Sequence, residues 1–564
     1  MTNSEIVEKL EDAMACMEVL ELNVFKINAF RNLSQHIEKL GEQLNQLEES
    51  RLDGMFTKGM RLVVKQLLET GSFAELDQLE AEIPAGVRSM LQISGLGPKK
   101  VRNLWKEAGI EDLETLQHFC ETGKLVQIKG FGEKVQHSIL EGIGFLKSVE
   151  GKWLMHKGKA LGNQILEELK ARGITILELV GDLATRAETV SAIEFLLPSS
   201  EKNKLKSILQ KHEDWEWLPA KSSPFHFEAR IKKNQGILRF FIANEENWTK
   251  TRYMLNTNQS HWDKATQQKI PLYKTWLKGN YTSEKQLFEL LERPFIPEEL
   301  RLGTFEWNED FDEKKSKLIS YSDLSGCLHN HSNYSDGKHT LLQMAEACIQ
   351  RGWKYFGIAD HSKSAQYANG LFEERVEAQW KEIEALNKNW TDFRILKGIE
   401  SDIMADGSLD YESDFLKGFD YVVASVHSSM KMDKETATQR LIRAIENPYT
   451  SILGHCSGRI LLRRPGYPLH YQKIIDACIA NGVVIEINAH PSRLDMDWEN
   501  LSIALEKGAL ISINPDAHEM EGMDLMAYGT WMARKAGAEK HQVLNAFSLP
   551  EIISFLKKKN PVLA

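Results

Sequence analysis

From about residue 320 onward, the chain repeats one pattern seven times: a short, continuous apolar run, a polar residue at its end, and a connecting stretch. The runs are GCLHNH, YFGIADH, FRILKGIE, YVVASVH, SILGH, VVIEIN and ALISINPDAH, and between them lie helical patterns such as TLLQMAEACIQRG and YQKIIDACIANG. An apolar run without alternation is a strand covered on both faces, and helical crossovers make neighbouring strands parallel. Seven such units specify a (β/α) barrel, whose chemistry gathers at the C-terminal ends of its strands.

The polar residues fall at those ends. His329 and His331 close the first run, with Asp336 in the loop that follows. Asp360 and His361 close the second, Glu400 the third, His427 the fourth, His455 the fifth, and Asp516 and His518 the last. Ten of the seventeen histidines lie after residue 320. A single histidine at a strand end is most often structural. Nine ligand-type residues in one barrel (His329, His331, Asp336, His361, Glu400, His427, His455, Asp516 and His518) instead specify a metal cluster. Neutral imidazole with carboxylate suits manganese, zinc or iron, and a carboxylate such as Glu400 can bridge two ions. Ions so held lower the pKa of water and stabilise charge on a phosphoryl oxygen. His339, His470 and His541 fall in helical or loop contexts and read as surface residues. Cys456 reads as a packed thiol, and His490 as either a surface residue or a substrate contact.

The length of 564 residues allows about three to five domains. No apolar run approaches the roughly 18 residues of a membrane span, and the N-terminus MTNSEIVEKLEDAM has no apolar signal core. Six cysteines scattered without CxxC spacing suit a reducing compartment, so a cytoplasmic location with no membrane partner is expected. The net charge of −10 provides no global basic field, so contact with nucleic acid must rest on local patches.

Such patches occur near the N-terminus. Residues 1–148 read as helical, with Ile6, Leu10, Met14, Met17, Leu20, Phe25, Phe30 and Leu33 forming one apolar face. Two segments, ISGLGPKK (93–100) and IKGFGEKV (128–135), share an apolar–x–Gly–apolar–Gly pattern followed by a basic helix start. Glycines allow a tight turn, and the N–H groups at the next helix start can hold a phosphate. Gly95, Gly97, Lys99, Lys100, Gly130, Gly132 and Lys134 are therefore candidate contacts to the DNA backbone, the alternative being simple helix caps. A third copy at 52–61, LDGMFTKGMR, has lost the pattern. Residues 149–295 mix a helix (NQILEELKARG) with strands (AIEFLLP, FHFEARI, GILRFFIA). The stretch 296–322, with its prolines and charge run, reads as a linker to a domain at 323–564.

The motifs LHNHSNYSDG, IADHS, GIESDI, SVHSS, LGHCSGR, EINAHPSRLD and NPDAH resemble those of the PHP (polymerase and histidinol phosphatase) domain over about 323–560. The resemblance implies a (β/α)7 barrel with two or three divalent transition-metal ions. His329, His331, Glu400 and Asp516 would hold one ion, Glu400, His427 and His455 a second, and Asp336, His361 and His518 a third. Arg459 and Arg463 or Arg464, after LGHCSG, are either phosphate-binding catalytic residues or solvated surface arginines. With NVFKINAFRNLSQHI (23–37) and the glycine hairpins, the whole order is similar to bacterial family X DNA polymerases with a fused PHP domain. The implied fold is a helical helix-hairpin-helix region, an α+β nucleotidyltransferase-like palm and the barrel.

The similarity breaks in the palm. GDLATRAETVSAIEF (181–195) keeps Glu188-Thr189, but Ala192 and Glu194 stand where the family has two metal-binding aspartates. Arg239 stands where a third is expected, and Asn256-Thr257-Asn258 replaces the TGS turn. Alanine cannot ligate, and arginine repels the magnesium ions that nucleotidyl transfer needs. The function expected is therefore metal-dependent phosphoester hydrolysis, which the family resemblance implies is that of a 3′–5′ exonuclease or 3′-end-processing repair enzyme acting on single-stranded, gapped or 3′-ended DNA. Competing readings are a small-molecule phosphatase of the histidinol phosphatase kind, a DNA-binding scaffold and, last, an active gap-filling polymerase.

Overall fold

The protein is described by a computed structural model covering residues 1, 3–38, 40, 44–93 and 95–559. It comprises two units, Met1–Glu150 and Gly151–Ala564.

The first unit is helical. Helices Asn3–Val19 and Val24–Glu38 bury Ile6, Leu10 and Met17 with Ile27, Phe30 and Leu33. Phe25, expected on that face, is exposed and Ile27 takes its place, because the helix begins only at Val24 and its first turn points outward. The two glycine hairpins share one geometry. Leu96 N–H donates to Ile93 O at 2.9 Å and Phe131 N–H to Ile128 O at 3.1 Å. Gly95 and Gly130 take φ of +84° and +93°, the left-handed conformation that glycine tolerates. Helices Pro98–Arg102 and Glu133–Val149 follow, capped by Gly97 and Gly132. Ser94, within the first hairpin, lies outside the described residues.

The second unit opens with β1 (Trp153–Leu154), β2 (Glu178–Val180), β3 (Thr189–Val190), β4 (Ile193–Pro198), β5 (Trp215–Trp217), β6 (His226–Ile231) and β7 (Ile237–Ala243). A five-stranded sheet runs β2-β4-β7-β6-β5, while β1 and β3 form a separate antiparallel ribbon. Residues 296–322 are folded and form no linker. Ile296, Leu300, Phe305, Trp307 and Phe311 are buried in one core with Tyr253, Leu287 and Phe288. The charge run that suggested a linker is the exposed face of helix Phe311–Lys317.

The remainder is a parallel barrel: β8 (Gly326–Cys327), β9 (Tyr355–Ile358), β10 (Arg394–Asp402), β11 (Tyr421–Ser425), β12 (Thr450–Leu453), β13 (Val484–Asn488) and β14 (Ile511–Asn514), paired in sequence order. The ends meet where His331 N–H donates to Ala517 O at 2.8 Å and Leu328 N–H to Asn514 Oδ1 at 3.2 Å. Leu328, Tyr355, Leu396, Tyr421, Val423, Ile452 and Val484 fill the interior, with Ile552 and Leu556 of the C-terminal helix Leu549–Lys559 packed among them. Gly357 and Gly398 make room for the Tyr421 ring, which a Cβ at either position would strike. With the interior filled by apolar side chains, the C-terminal strand ends are left for polar chemistry.

Candidate metal centre

Glu400, near the end of β10, is the hub of the polar cluster. Its Oε1 lies 3.2 Å from His329 Nε2, 3.2 Å from His427 Nε2 and 3.0 Å from His455 Nε2. Its Oε2 lies 2.9 Å from His361 Nδ1 and 3.7 Å from His331 Nε2. Asp336 is a second hub, 3.7 Å from His331 Nδ1, 3.6 Å from His361 Nε2 and 3.4 Å from His518 Nε2. Asp516 Oδ1 sits 3.0 Å from His331 Nε2 and 3.6 Å from His329 Nε2. Asp516 has φ +51°, a conformation L residues rarely hold and one that recurs at functional sites.

All nine residues singled out in the sequence thus come together. Four overlapping sets place one potential ligand atom per residue within 4.8 Å of the others: His331-Asp336-His361-His518, His329-Glu400-His455, His329-His331-Asp516 and His361-Glu400-His427. These sets differ from the partition implied by resemblance, since His361 reaches both hubs. The donor chemistry fits divalent transition ions. So does a second observation: His329 Nε2, His331 Nδ1, His361 Nδ1 and Glu400 Oε2 are buried without a hydrogen-bond partner. Buried polar atoms rarely go unpaired. Buried imidazole nitrogens and carboxylate oxygens that crowd together without directed hydrogen bonds are what a shared cation would satisfy.

The surrounding polar residues were not picked out from the sequence. Glu486 in β13 faces His329 Nδ1 at 2.7 Å, accepts from His455 N–H at 2.7 Å and from Asn514 Nδ2 at 2.9 Å. Asp402 faces His427 Nδ1 at 2.6 Å. Such partners fix the tautomer and leave Nε2 free to ligate. The signal available was a carboxylate inside the apolar run VVIEIN and a second carboxylate, two residues after Glu400, in GIESDI. Asp360 turns away from the cluster and accepts from Ser332 N–H at 2.8 Å and Gln379 Nε2 at 2.6 Å, so it shapes the loop carrying Asp336. His339, expected on the surface, is buried where this loop folds back, its carbonyl accepting from Asn333 N–H. His490 is held as neutral imidazole, its pKa pushed down to about 4 by burial, with Nδ1 2.6 Å from Ser492 Oγ.

The arginines differ from expectation. Arg459 directs its guanidinium to Glu188 Oε1 at 2.7 Å and to the carbonyls of Arg493 and Leu494, so these donors are not offered to a phosphate. Arg464 is engaged by Gly458 O, and Arg463 is exposed. Another arginine reaches the cluster: Arg493 Nε lies 3.9 Å from Asp516 Oδ2.

Two family models match the chain, the PHP domain over residues 328–490 and the SAM-like helix-hairpin-helix tandem over residues 87–144. The DNA polymerase/3′-5′ exonuclease PolX of Bacillus subtilis is 32% identical over 579 residues, spanning 99% of this chain and 100% of that protein. This chain belongs to the PolX family. Proteins named probable phosphatases match part of the chain. One from Thermoanaerobacter sp. is 28% identical over 242 residues, covering 41% of this chain and 94% of its own. One from Vibrio atlanticus is 29% identical over 217 residues, covering 35% and 81%. The PHP domain makes this PolX chain a hydrolase, of a domain type that binds divalent metal ions.

In this PolX chain, the five-stranded sheet carries an ion triad. Glu194 of β4 pairs in register with Arg239 of β7, and that residue with Glu228 of β6. Arg239 Nη1 lies 3.1 Å from Glu194 Oε1, and its Nε 3.1 Å from Glu228 Oε2. Ala192 is buried beside them in the chain, and Asn256 Oδ1 accepts from Gly181 N–H at 2.8 Å. In the PolX hairpin region, Gly97, Lys99, Lys100, Lys129 and Gly130 line one pocket. A Cβ at Gly97, Gly130 or Gly132 would meet nothing within 4 Å, so the backbone there is open to approach. Among the described residues, no helix is long and apolar enough to cross a membrane.

Proposed function

We propose that the barrel of this PolX chain is a 3′–5′ exonuclease or 3′-end-processing phosphodiesterase acting on DNA, and that the palm no longer polymerises. The convergence of nine ligand-type residues around unpaired buried atoms is the observation that carries the hydrolytic reading. His329, His331, Asp336, His361, Glu400, His427, His455, Asp516 and His518 would hold two or three ions, with manganese, zinc or iron suited to this donor set. Ions bound there would supply an activated water and neutralise charge developing on the phosphoryl oxygens. The chain's own groups do the rest. Glu486 and Asp402 lock His329 and His427 with Nε2 facing inward. Arg493, at the rim, would offer a planar fork to a non-bridging phosphate oxygen. Tyr367, 73% exposed with its ring 6.1 Å from His361, would stack on the terminal base.

The loss of polymerisation is supported by the Glu194–Arg239–Glu228 triad, which holds a fixed guanidinium where magnesium ions would need carboxylates. The open hairpin backbones with Lys99, Lys100 and Lys134 suit sequence-independent grip on DNA phosphates. End-labelled single-stranded and gapped DNA, incubated with manganese-loaded protein with and without dNTPs, tests both parts. Stepwise shortening from the 3′ end without extension is expected. Extension would overturn the palm assignment, and shortening from the 5′ end would overturn the polarity. A second reading, a small-molecule phosphatase, draws on the likeness of part of the chain to the probable phosphatases. Release of phosphate from a monoester with DNA left intact would favour it.

A further inference from the structure

Glu188 is the point at which the palm sequence keeps its family pattern, yet its side chain serves the barrel. It precedes β3 on the two-stranded ribbon, where its carbonyl accepts from Met155 N–H at 3.3 Å and Met155 itself is buried in the barrel's outer core. Its carboxylate meets Arg459, four positions after His455, with both side chains largely shielded at 20% and 17% exposure. We propose that Glu188, acting through Arg459, is a positioning residue for hydrolysis, so that the palm-like region braces two strand-end loops of the metal centre. The proposal rests on the barrel being the hydrolytic site.

The geometry joins those loops through one guanidinium. Arg459 lies on the loop after β12, and its Nε donates to Arg493 O at 2.8 Å while Nη2 also reaches Leu494 O, both on the loop after β13. Asp495 reinforces the joint by accepting from Ser457 N–H at 3.0 Å. Leu494 is fully buried with φ +46°, a conformation that persists only where neighbours impose it. The loop thus held carries His490 and Arg493, the arginine nearest Asp516. Without Glu188, Arg459 would lose its ion-pair partner and keep only the charges of Asp495 and Asp497 nearby, and a guanidinium that shifts toward them or toward solvent would release the Arg493 and Leu494 carbonyls. A displacement of about 1 Å at a positioning group can cost up to about a hundredfold in rate.

A second part of the same junction serves as a control. Trp531, on helix Met526–Ala536, receives the Arg186 guanidinium at 4.8 Å and the Lys159 ammonium at 5.3 Å, away from the Arg459 hydrogen bonds. Full-length, manganese-loaded Glu188→Ala, Glu188→Gln, Arg459→Ala, the Glu188→Ala/Arg459→Ala double variant and Trp531→Leu are compared on bis(p-nitrophenyl) phosphate, with metal content and Tm measured alongside. We expect Glu188→Ala to lower kcat about tenfold or more at unchanged metal content, Glu188→Gln to lower it less, and the double variant to match Arg459→Ala. Trp531→Leu should lower Tm while keeping kcat. Wild-type kcat in the soluble Glu188 variants, losses that multiply in the double variant, or an equal kcat loss in Trp531→Leu would each overturn the proposal while leaving the hydrolase intact. A wild-type protein inert on every phosphodiester would end the hydrolytic reading, and the proposal with it.

Discussion

At the scale of single residues, the metal centre is a balance of opposed charges. Burial alone would lower the pKa of His427, but the Glu400 and Asp402 carboxylates together outweigh it and hold the imidazole up at about 10. Burial is likewise outweighed at His518, where Asp336 holds the value at about 9. Burial and the neighbouring His518 and His361 push His331 down to about 4. In the metal-free protein, His427 and His518 are therefore protonated at neutral pH, and bound ions must displace those protons. Metal affinity should rise with pH toward 9, with proton release measurable by calorimetry in buffers of different ionisation heat; binding without proton release would refute this picture. The stability of the metal-free fold follows the opposite course. Both values lie above the unfolded 6.5, so the ion pairs stabilise fully below that pH and are lost as pH climbs through 9 and 10. Substitution should separate ligands from their supports. His329→Ala with His331→Ala should remove hydrolysis and at least one ion. Glu486→Gln should weaken metal affinity roughly 10–100-fold, and mass spectrometry of metal content at graded chelator concentrations reads the difference.

At the scale of elements, short segments place the chemistry. Apart from β10, which runs nine residues and is exposed at Arg394, the barrel strands are two to five residues long and buried throughout, so the polar residues at their C-terminal ends are fixed by strand register. Tyr421 anchors that register from inside, its OH donating to Ile358 O at 2.8 Å between two glycines that admit the ring. Tyr421→Ala should cost roughly 3–5 kcal/mol, seen as a fall in denaturation midpoint with an unchanged slope. The hairpins make a different prediction. Lys99, Lys100 and Lys134 flank open glycine backbone, so their contacts to DNA should be electrostatic and indifferent to sequence. Replacing the three by glutamate should weaken DNA binding uniformly across sequences and reduce the salt slope by about one per lysine. Hydrolysis of a small phosphodiester should be unaffected. An unchanged DNA affinity would reduce the hairpins to helix caps.

At the scale of the whole molecule, one chain of the PolX family combines a PHP barrel with a five-stranded sheet on which Glu194, Arg239 and Glu228 pair with one another. With His329 and His331 replaced to suppress degradation, a gapped primer–template supplied with manganese and all four dNTPs should show no extension. Templated extension would mean that Arg239 is not where catalysis would occur. Much of this was legible in the chain itself, because a strand end is a local property: a continuous apolar run stopping at His or Glu fixes both strand and ligand. That logic brought out the cluster residues at the strand ends, with Asp336 in the loop after the first, while a glycine pattern brought out the two hairpins. Tertiary structure alone decided the rest. Glu486 and Asp402 support the cluster from strands, where a carboxylate's place in the chain does not say what it will face. Residues 296–322 carry a charge run that reads as solvated, and only packing shows Trp307 and Phe311 beneath it. Arg459 follows a metal-ligand motif and reads as a phosphate contact, but its guanidinium is claimed by Glu188, 271 positions away in the chain. Local pattern determines which groups a segment presents; long-range closure determines which of them remain free to meet a ligand.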